Sequence, residues 1–297
     1  MNRNNSNSPA YKPQDKAGSG GFAGEMFTHL RVSIVATIVL GVIVSGIYPA
    51  IVWGLAQALF HHQANGSLIK KDGMPTDNDS EAVGSALLGQ PFSDVKYFHP
   101  RPSAAGNGYD PTASGGTNLG PLSDKLINGL TNPATTQPTT QPEALAFDGI
   151  RLRTIHYASD NGISFKLYSV RADGTGPKVE VPIKQFEDAQ GNLNDVALVD
   201  AFPHPPSDAP DRMVVVADDF STAIPPDAVT ASSSGLDPHI SVANAQLQAK
   251  RVADARKISV DKVKALVDQC TDEPGLGILG DPGVNVLTLN VALDNQK

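Results

Sequence analysis

From Val32 to Phe60 the chain reads VSIVATIVLGVIVSGIYPAIVWGLAQALF, without a single Asp, Glu, Lys, Arg or His. A bilayer core is crossed by about 20 apolar residues of helix, and this run holds about 29. It predicts a membrane-spanning helix over residues 28–60. A cleavable export signal is the alternative, and Ala56-Gln57-Ala58 has the form of a cleavage site. The apolar region of such a signal runs only about 7–15 residues, however, and here it follows a polar head of about 30. The stretch is therefore read as a retained anchor. Small residues recur along it at every fourth position, with Thr37, Gly41 and Ser45 in one row and Gly46, Ala50, Gly54 and Ala58 in a second. Such rows let helix backbones approach closely in lipid, so Gly41, Ser45, Gly46, Ala50 and Gly54 are the expected docking residues for partner helices. Pro49 removes one backbone donor and crowds the preceding turn, and is expected to kink the helix or end its regular part.

The pattern elsewhere is weaker. Residues 1–27, rich in Asn, Ser, Gly and Pro, cannot bury enough surface to offset their ordering entropy and are expected to form a disordered tail. Residues 61–130 show no long period and read as turns and short extended pieces, with one short helix opened by Ser123. The run TNPATTQPTTQPEA, from Thr131 to Ala144, is an extended linker by composition. Beyond it GIRLRTIHYAS, GISFKLYSV, PKVEVPI and MVVVAD alternate apolar and polar positions and predict about four short strands. Turns at Asp160-Asn161-Gly162 and Ala172-Asp173-Gly174 separate them, and AFPHPPSDAPD closes a linker-plus-β insertion spanning 131–222. In 223–297, Ser241 opens a helix with Val242, Ala245, Ala249, Val252 and Ala253 on one face. Ser259 opens a second, with Val260, Val263, Leu266 and Val267 toward the core. VNVLTLNVAL reads as a strand beneath them, a helix being the other reading of so short an apolar run. The expected fold is α+β, a single N-terminal transmembrane helix followed by a domain in two parts, 61–130 and 223–297, that carries a small β insertion.

Charge adds an orientation and removes some functions. The 297 residues carry a formal net charge of −8 and a pI near 5.3, with no basic run, which argues against nucleic acid as a partner. Arg31, Lys16 and Lys12 precede the span and only Lys70 and Lys71 follow it closely, a bias that favours a cytoplasmic N-terminus and a periplasmic domain. One uncharged helix supplies neither a proton relay nor a pore, so the chain alone conducts nothing. The single cysteine, Cys270, allows no internal disulfide and reads as a small hydrophobe late in a helix. His61-His62 lacks a further ligand at helical spacing. Gly84 to Gln90 has the glycine spacing of a phosphate loop but Gln90 stands where Lys is required. Ala113-Ser114-Gly115-Gly116 reads as an anion nest or, more simply, a surface turn. Ser232, Ser233 and Ser234 have neither a nucleophile elbow nor an identifiable base, so a membrane-anchored hydrolase lacks its machinery.

Several stretches carry a more specific signal when taken in order. Gly46-Ile47-Tyr48-Pro49 closes the span, then come Gln63-Ala64-Asn65-Gly66-Ser67-Leu68, Gly84 to Gln90, Tyr97-Phe98-His99-Pro100-Arg101-Pro102-Ser103-Ala104 and Ala113 to Gly120. The C-terminal half adds Val229-Thr230-Ala231-Ser232, Ser234 to Ser241, Arg251-Val252-Ala253 with Ala255-Arg256, and Val284 to Leu287. The ordered set resembles the C subunit of Kdp-type potassium-transporting ATPases, over about residues 30–130 and 224–295. Two positions depart from that family's pattern, Pro100 where it usually has Gly and Lys250 where it often has Pro. The insertion is not covered, since members usually have a short connection there, and its Pro-rich flanks suggest that deleting 145–218 leaves assembly intact.

The resemblance implies an accessory subunit of a high-affinity, ATP-driven potassium uptake pump in a bacterial inner membrane. A channel-like subunit conducts potassium, a P-type ATPase subunit hydrolyses ATP, and the C subunit stabilises their assembly without being a catalytic subunit itself. It also implies a catalytic chaperone that raises the affinity for ATP, with no cofactor bound by the chain alone and ATP engaged in the complex. The glutamine three residues before Arg-Val-Ala, here Gln248, is then a candidate nucleotide contact. The topology places Gln248 across the membrane from cytoplasmic ATP, and an exposed helix glutamine is the plain alternative. The rival function is a membrane-anchored periplasmic binding module.

Overall fold

The computed structural model describes residues 22–131, 145–147, 149–171, 175–202 and 213–296. The first 21 residues, nearly all of the Pro/Thr-rich linker, the turn at 172–174 and most of the Pro-rich exit lie outside them. Two compact units are present, Met1–Ala64 and Asn65–Lys297.

The first unit is α1 (Phe22–Val42), a π turn (Ile43–Ile47), α2 (Tyr48–Leu59) and a single turn, α3 (His61–Ala64). Gly24–Leu59 forms one helix of 36 residues, long and apolar enough to cross a membrane, and its most apolar window is not buried within the chain. The helix begins at Phe22, ahead of the expected boundary at residue 28. Glu25 lies in its first turn, where unpaired N–H groups favour a carboxylate. Pro49 does not end the helix. The chain widens just before it, so that the Tyr48 N–H reaches Ile43 O five residues back, and the widened turn accommodates the Pro49 ring and its missing donor.

The second unit starts with β1 (Leu68–Lys70), β2 (Pro75–Thr76) and β3 (Ala82–Ser85), paired antiparallel in the order β2-β1-β3. An irregular run leads to α4 (Asp124–Asn128) and β4 (Leu130–Thr131), which pairs with β5 (Leu145–Phe147). Then follow α5 (Ile150–Asp160), β6 (Lys166–Arg171), β7 (Val179–Val181), α6 (Asp195–Ala201) and β8 (Met213–Asp218), with β6 central to an antiparallel sheet. The chain closes with β9 (His239–Ser241), α7 (Val242–Arg256), α8 (Val260–Gln269), β10 (Thr271–Asp272), β11 (Gly283–Asn285) and α9 (Val286–Asp294), the strands in the order β10-β11-β9.

The main core lies among α7, α8, α9 and the strands β9 and β11. Ala245, Ala249, Val252 and Ala253 of α7 meet Val263 and Val267 of α8 and Leu289 and Leu293 of α9 there, with Phe98 from the irregular run among them. The side chains of Ser241, Ser259 and Asn285 accept from N–H groups three residues on and so cap these helices. The faces read from the sequence for α7 and α8 are the ones buried. Ser123 does precede α4, but its side chain makes no capping bond.

Two strand assignments are corrected. GIRLRTIHYAS is the helix α5, whose Leu152, Ile155 and Ala158 are buried at a helical spacing. Its alternation of Arg and apolar residues imitates a strand only over the first few positions. VNVLTLNVAL is strand for just its first two residues, after which Asn285 caps α9 and both sides of the run are buried. A segment with no polar face carries no period to decide between the two states.

The β insertion is thus a helix-and-sheet element, with Leu152, Ile155, Leu167, Leu198 and Phe202 at its centre. It is not a loosely linked appendage. Tyr157 Oη donates to Asn244 Oδ1 of α7 (2.8 Å), Arg153 Nη1 to Val229 O (3.3 Å) and Arg251 Nε of α7 to Asn161 Oδ1 (3.0 Å). Gly149 lies flat on the end of α4, where a Cβ would stand 2.2 Å from Gly129 N. Tyr157→Phe is expected to lose about 1 kcal/mol, lowering the midpoint of thermal unfolding by about 2–4 °C. Gly149→Ala, which drives a methyl into backbone, should cost about 3 kcal/mol. Unfolding of the full chain followed in detergent checks both, and unchanged midpoints would mean that the insertion is not docked.

Candidate functional site

Two side chains of the C-terminal part, Asn290 and Gln248, converge on the backbone of Phe98 and His99, which lies in one of the stretches that carry the family resemblance. Asn290, in the middle of α9, accepts from the Phe98 N–H through Oδ1 (2.8 Å) and donates to Phe98 O through Nδ2 (3.0 Å). Gln248, in the middle of α7, does the same to the next residue: Oε1 accepts from the His99 N–H (2.7 Å) and Nε2 donates to His99 O (3.1 Å). Two side-chain amides thereby satisfy two consecutive peptide units of an irregular segment that would otherwise cross the core unpaired. Each amide is only 1% exposed.

Gln248 is not the exposed helix glutamine expected from sequence. Its Oε1 also accepts from Arg251 Nη2 (2.7 Å) and its Nε2 donates to Asn244 Oδ1 (2.8 Å), so both donors and both lone pairs are engaged. Asn244 is held by Asp227, whose carboxylate also takes the Ser241 N–H (2.8 Å) and hydroxyl (2.8 Å) at the start of α7. Arg251 continues the network, with Nη1 donating to Val95 O (2.7 Å) and Tyr97 O (3.0 Å). Arg256 ties Lys96 O (2.7 Å) to Asp294 (2.8 Å) and lies over the Tyr97 ring. Burial, with Arg251 beside it, holds His99 below the usual imidazole range, so the ring is neutral near pH 7.

Beside this network lies a cavity of about 520 Å³, walled by His99 and Tyr109 on one side, by His156, Tyr157 and Asp160 of α5, and by Gln248 of α7. Its polar groups are largely spoken for. Tyr109 Oη donates to Arg101 O (2.5 Å), and His156 Nε2 pairs with Asp195 Oδ1 (2.8 Å). Burial pushes the Tyr109 phenol up to about 12 and Tyr157 upward also, so both act as neutral donors.

The remaining sequence candidates have structural roles. Gly115 N–H is used on Ser234 O (2.8 Å), so the Ser-Gly-Gly turn is a strap and not an open nest. Gly235, at φ +67°, sits where a Cβ would lie 2.7 Å from Ala105 N. Ser232 and Ser234 hydroxyls stand 3.3 Å apart, and Ser234 Oγ accepts from the Leu236 N–H, which is turn chemistry. The Gln90 side chain fills the place of a Cβ on Gly84, so that glycine spacing serves packing. Half-buried Cys270 packs at the edge of the main core, where burial pushes its thiol up. His61 Nδ1 faces Gln57 Oε1 one turn back (2.8 Å). Among the described residues no cluster of three or more His, Cys, Asp or Glu could hold a metal ion.

The residues expected to dock partner helices, Gly41, Ser45, Gly46, Ala50 and Gly54, are all exposed. A Cβ added at Gly41, Gly46 or Gly54 would meet nothing in this chain. The π turn takes up one extra residue between the two small-residue rows, turning Gly46, Ala50 and Gly54 back toward the line of Thr37 and Gly41. Sequence reasoning missed Asn290, Asn244 and Asp227. A lone Asn inside the apolar run VLTLNVAL was the one signal available for the first.

An apolar helix long enough to cross a membrane, followed in the chain by a helix-and-sheet domain whose buried amides brace its own backbone, is compatible with the class of single-pass membrane proteins. The comparisons make that class particular. The family profile described as K+-transporting ATPase, c chain matches residues 30–146 and 209–295, and the chain belongs to that family. It is 35% identical over 270 residues to the potassium-transporting ATPase KdpC subunit of Mycobacterium tuberculosis H37Rv, covering 91% of this chain and 97% of that one. The corresponding subunit of Caulobacter vibrioides is 37% identical over 269 residues, covering 91% and 94%, and that of Geobacter metallireducens 36% over 266, covering 89% and 96%. The two family matches leave residues 147–208 between them, so the greater part of the insertion lies outside the family profile.

Gln248→Ala and Asn290→Ala each strand a buried peptide N–H and C=O, and each is expected to cost about 3 kcal/mol, or about 6–12 °C in the unfolding midpoint. A shift below about 2 °C in both would show that water replaces the amides. His239 gives a pH signature. It bonds to Asp272 (2.8 Å) and lies beside Asp237, and these carboxylates, Asp237 first, raise it above its ordinary 6.5. Its contribution is complete below pH 6.5 and is lost as pH rises through the raised value. His99, shifted the other way, costs stability as pH falls below 6.5. His239→Gln should therefore lag the wild type by less than about 1 kcal/mol at acid pH and converge with it in alkali. A deficit that grows with pH would contradict this assignment.

Proposed function

We propose that this chain is the accessory subunit of an ATP-driven, high-affinity potassium uptake pump, stabilising the assembly of a channel-like subunit with a P-type ATPase subunit. The family match across both halves of the chain carries the reading. Support comes from the division of labour in the molecule. The span offers small residues that nothing in the chain itself requires, and the domain spends its polar groups on its own backbone. Glycine in a helix interior costs about 1 kcal/mol relative to alanine, so glycines with open space around them are accounted for by a helix that packs against them from outside. The N-terminus lies in the cytoplasm and the domain in the periplasm, following the Lys/Arg bias about the span.

In this reading the domain influences ATP affinity through the assembled complex. Gln248, buried with every hydrogen-bonding position taken, acts as a brace for residues 97–102 and touches no nucleotide. The test is purification of the tagged chain, co-expressed with its neighbouring genes, and a potassium-stimulated ATPase assay on the eluate. A multi-span subunit and a P-type ATPase should co-purify, with activity lost when this chain is omitted. Elution alone in mild detergent would favour a membrane-anchored binding module. Gly46→Leu with Gly54→Leu should cut recovery of the partners at least tenfold, and full recovery would discard the docking rows. Gln248→Ala should lower the melting point of the chain. A raised KM for ATP at unchanged melting point would instead establish direct contact.

A further inference from the structure

The loop between β10 and β11, Glu273–Pro282, presents Leu276, Ile278 and Leu279 at 91, 82 and 62% exposure, although large apolar side chains of α9 such as Leu289 and Leu293 are buried. The loop is ordered by its own hydrogen bonds. Gly275 N–H donates to Leu279 O (2.8 Å), Leu279 N–H to Gly275 O (2.9 Å) and Gly277 N–H to Pro274 O (2.8 Å). Leu276 is held at φ +55°, a left-handed conformation that suits glycine and costs a leucine. Three apolar side chains on a fixed turn, one on strained backbone, form a pre-organised anchor of the kind that dominates interface energy.

Charge narrows what they fit. The loop and its immediate flanks carry Asp272, Glu273 and Asp281 and no Lys or Arg. An anionic bilayer surface attracts basic segments and repels an acidic one, so lipid is a poor partner for this tip. We propose that the loop 274–280 is a docking knob for a protein, an apolar socket rimmed by Lys or Arg on another subunit of the complex. The inference rests on the accessory-subunit reading.

Leu276→Gly separates docking from folding, since it removes the side chain and relieves the left-handed strain together. The variant should melt at or above the wild-type temperature while its retention on the co-purified complex falls about tenfold. A photo-crosslinking residue, p-benzoylphenylalanine, at position 278 of the full chain in intact membranes should give a protein adduct. Undiminished retention of Leu276→Gly overturns the knob, as do adducts confined to lipid. Failure of the wild-type chain to be retained at all overturns the subunit reading and this inference with it, whereas retention of both forms overturns the knob alone.

Discussion

The domain depends on getting an irregular segment through a helical core. Phe98 is fully buried and supplies a large ring to the packing of α7, α8 and α9, yet its peptide and that of His99 belong to no strand or helix. Each buried, unpaired N–H or C=O costs about 1–3 kcal/mol, so four such groups would consume much of the stability of an ordinary domain. Asn290 and Gln248 remove that cost from opposite sides, each acting as a short stand-in for a neighbouring strand. Because an amide pairs with a peptide only in one orientation, the two helices and the segment between them are fixed in register with one another.

Much else is a consequence of holding those amides still. Asn244 and Arg251 stand one turn before and almost one turn after Gln248 on α7, and each bonds to it. Asp227 steadies Asn244, and the insertion reaches both neighbours, Tyr157 to Asn244 and Asn161 to Arg251. The insertion therefore continues the brace of the domain's other two parts instead of hanging beside them, and it walls the cavity next to Gln248. Low dielectric makes such a network strong when complete and costly when any member is lost.

The sequence made the span, the two capped helices α7 and α8, and the β6, β7 and β8 strands legible, because each has a clean period or a hydroxyl at its start. It misled at α5 and α9. In α5 arginines alternate with apolar residues for a few positions, and in α9 every side is buried, so local pattern could not outvote tertiary packing. The site was half legible. Resemblance drew attention to Gln248, but its environment came from residues about 150 positions away in the chain, and no local rule reports partners at that separation. Asp227 was invisible for the same reason, and Asn290 showed only as a lone polar residue in an apolar run. In the span, Pro49 announced a disturbance, while its resolution as a π turn was a matter of backbone geometry.

The geometry of Gln248 also bears on a tension between its resemblance-based role and the topology of the chain. A nucleotide contact would need the amide to give up His99, Asn244 or Arg251, and each released partner is itself buried or half-buried. Substituting such a residue perturbs whatever the segment 97–102 positions, whether or not a ligand ever touches the side chain. The effect of such a substitution then travels through the placement of Tyr97, Pro100 and Arg101. Arg101 is in turn paired to Asp237 (3.0 Å) in the loop that precedes β9, so a disturbance at α7 reaches the strand that carries His239. By its contacts, Gln248 positions the peptide of His99 and, through it, the segment that leads to Arg101.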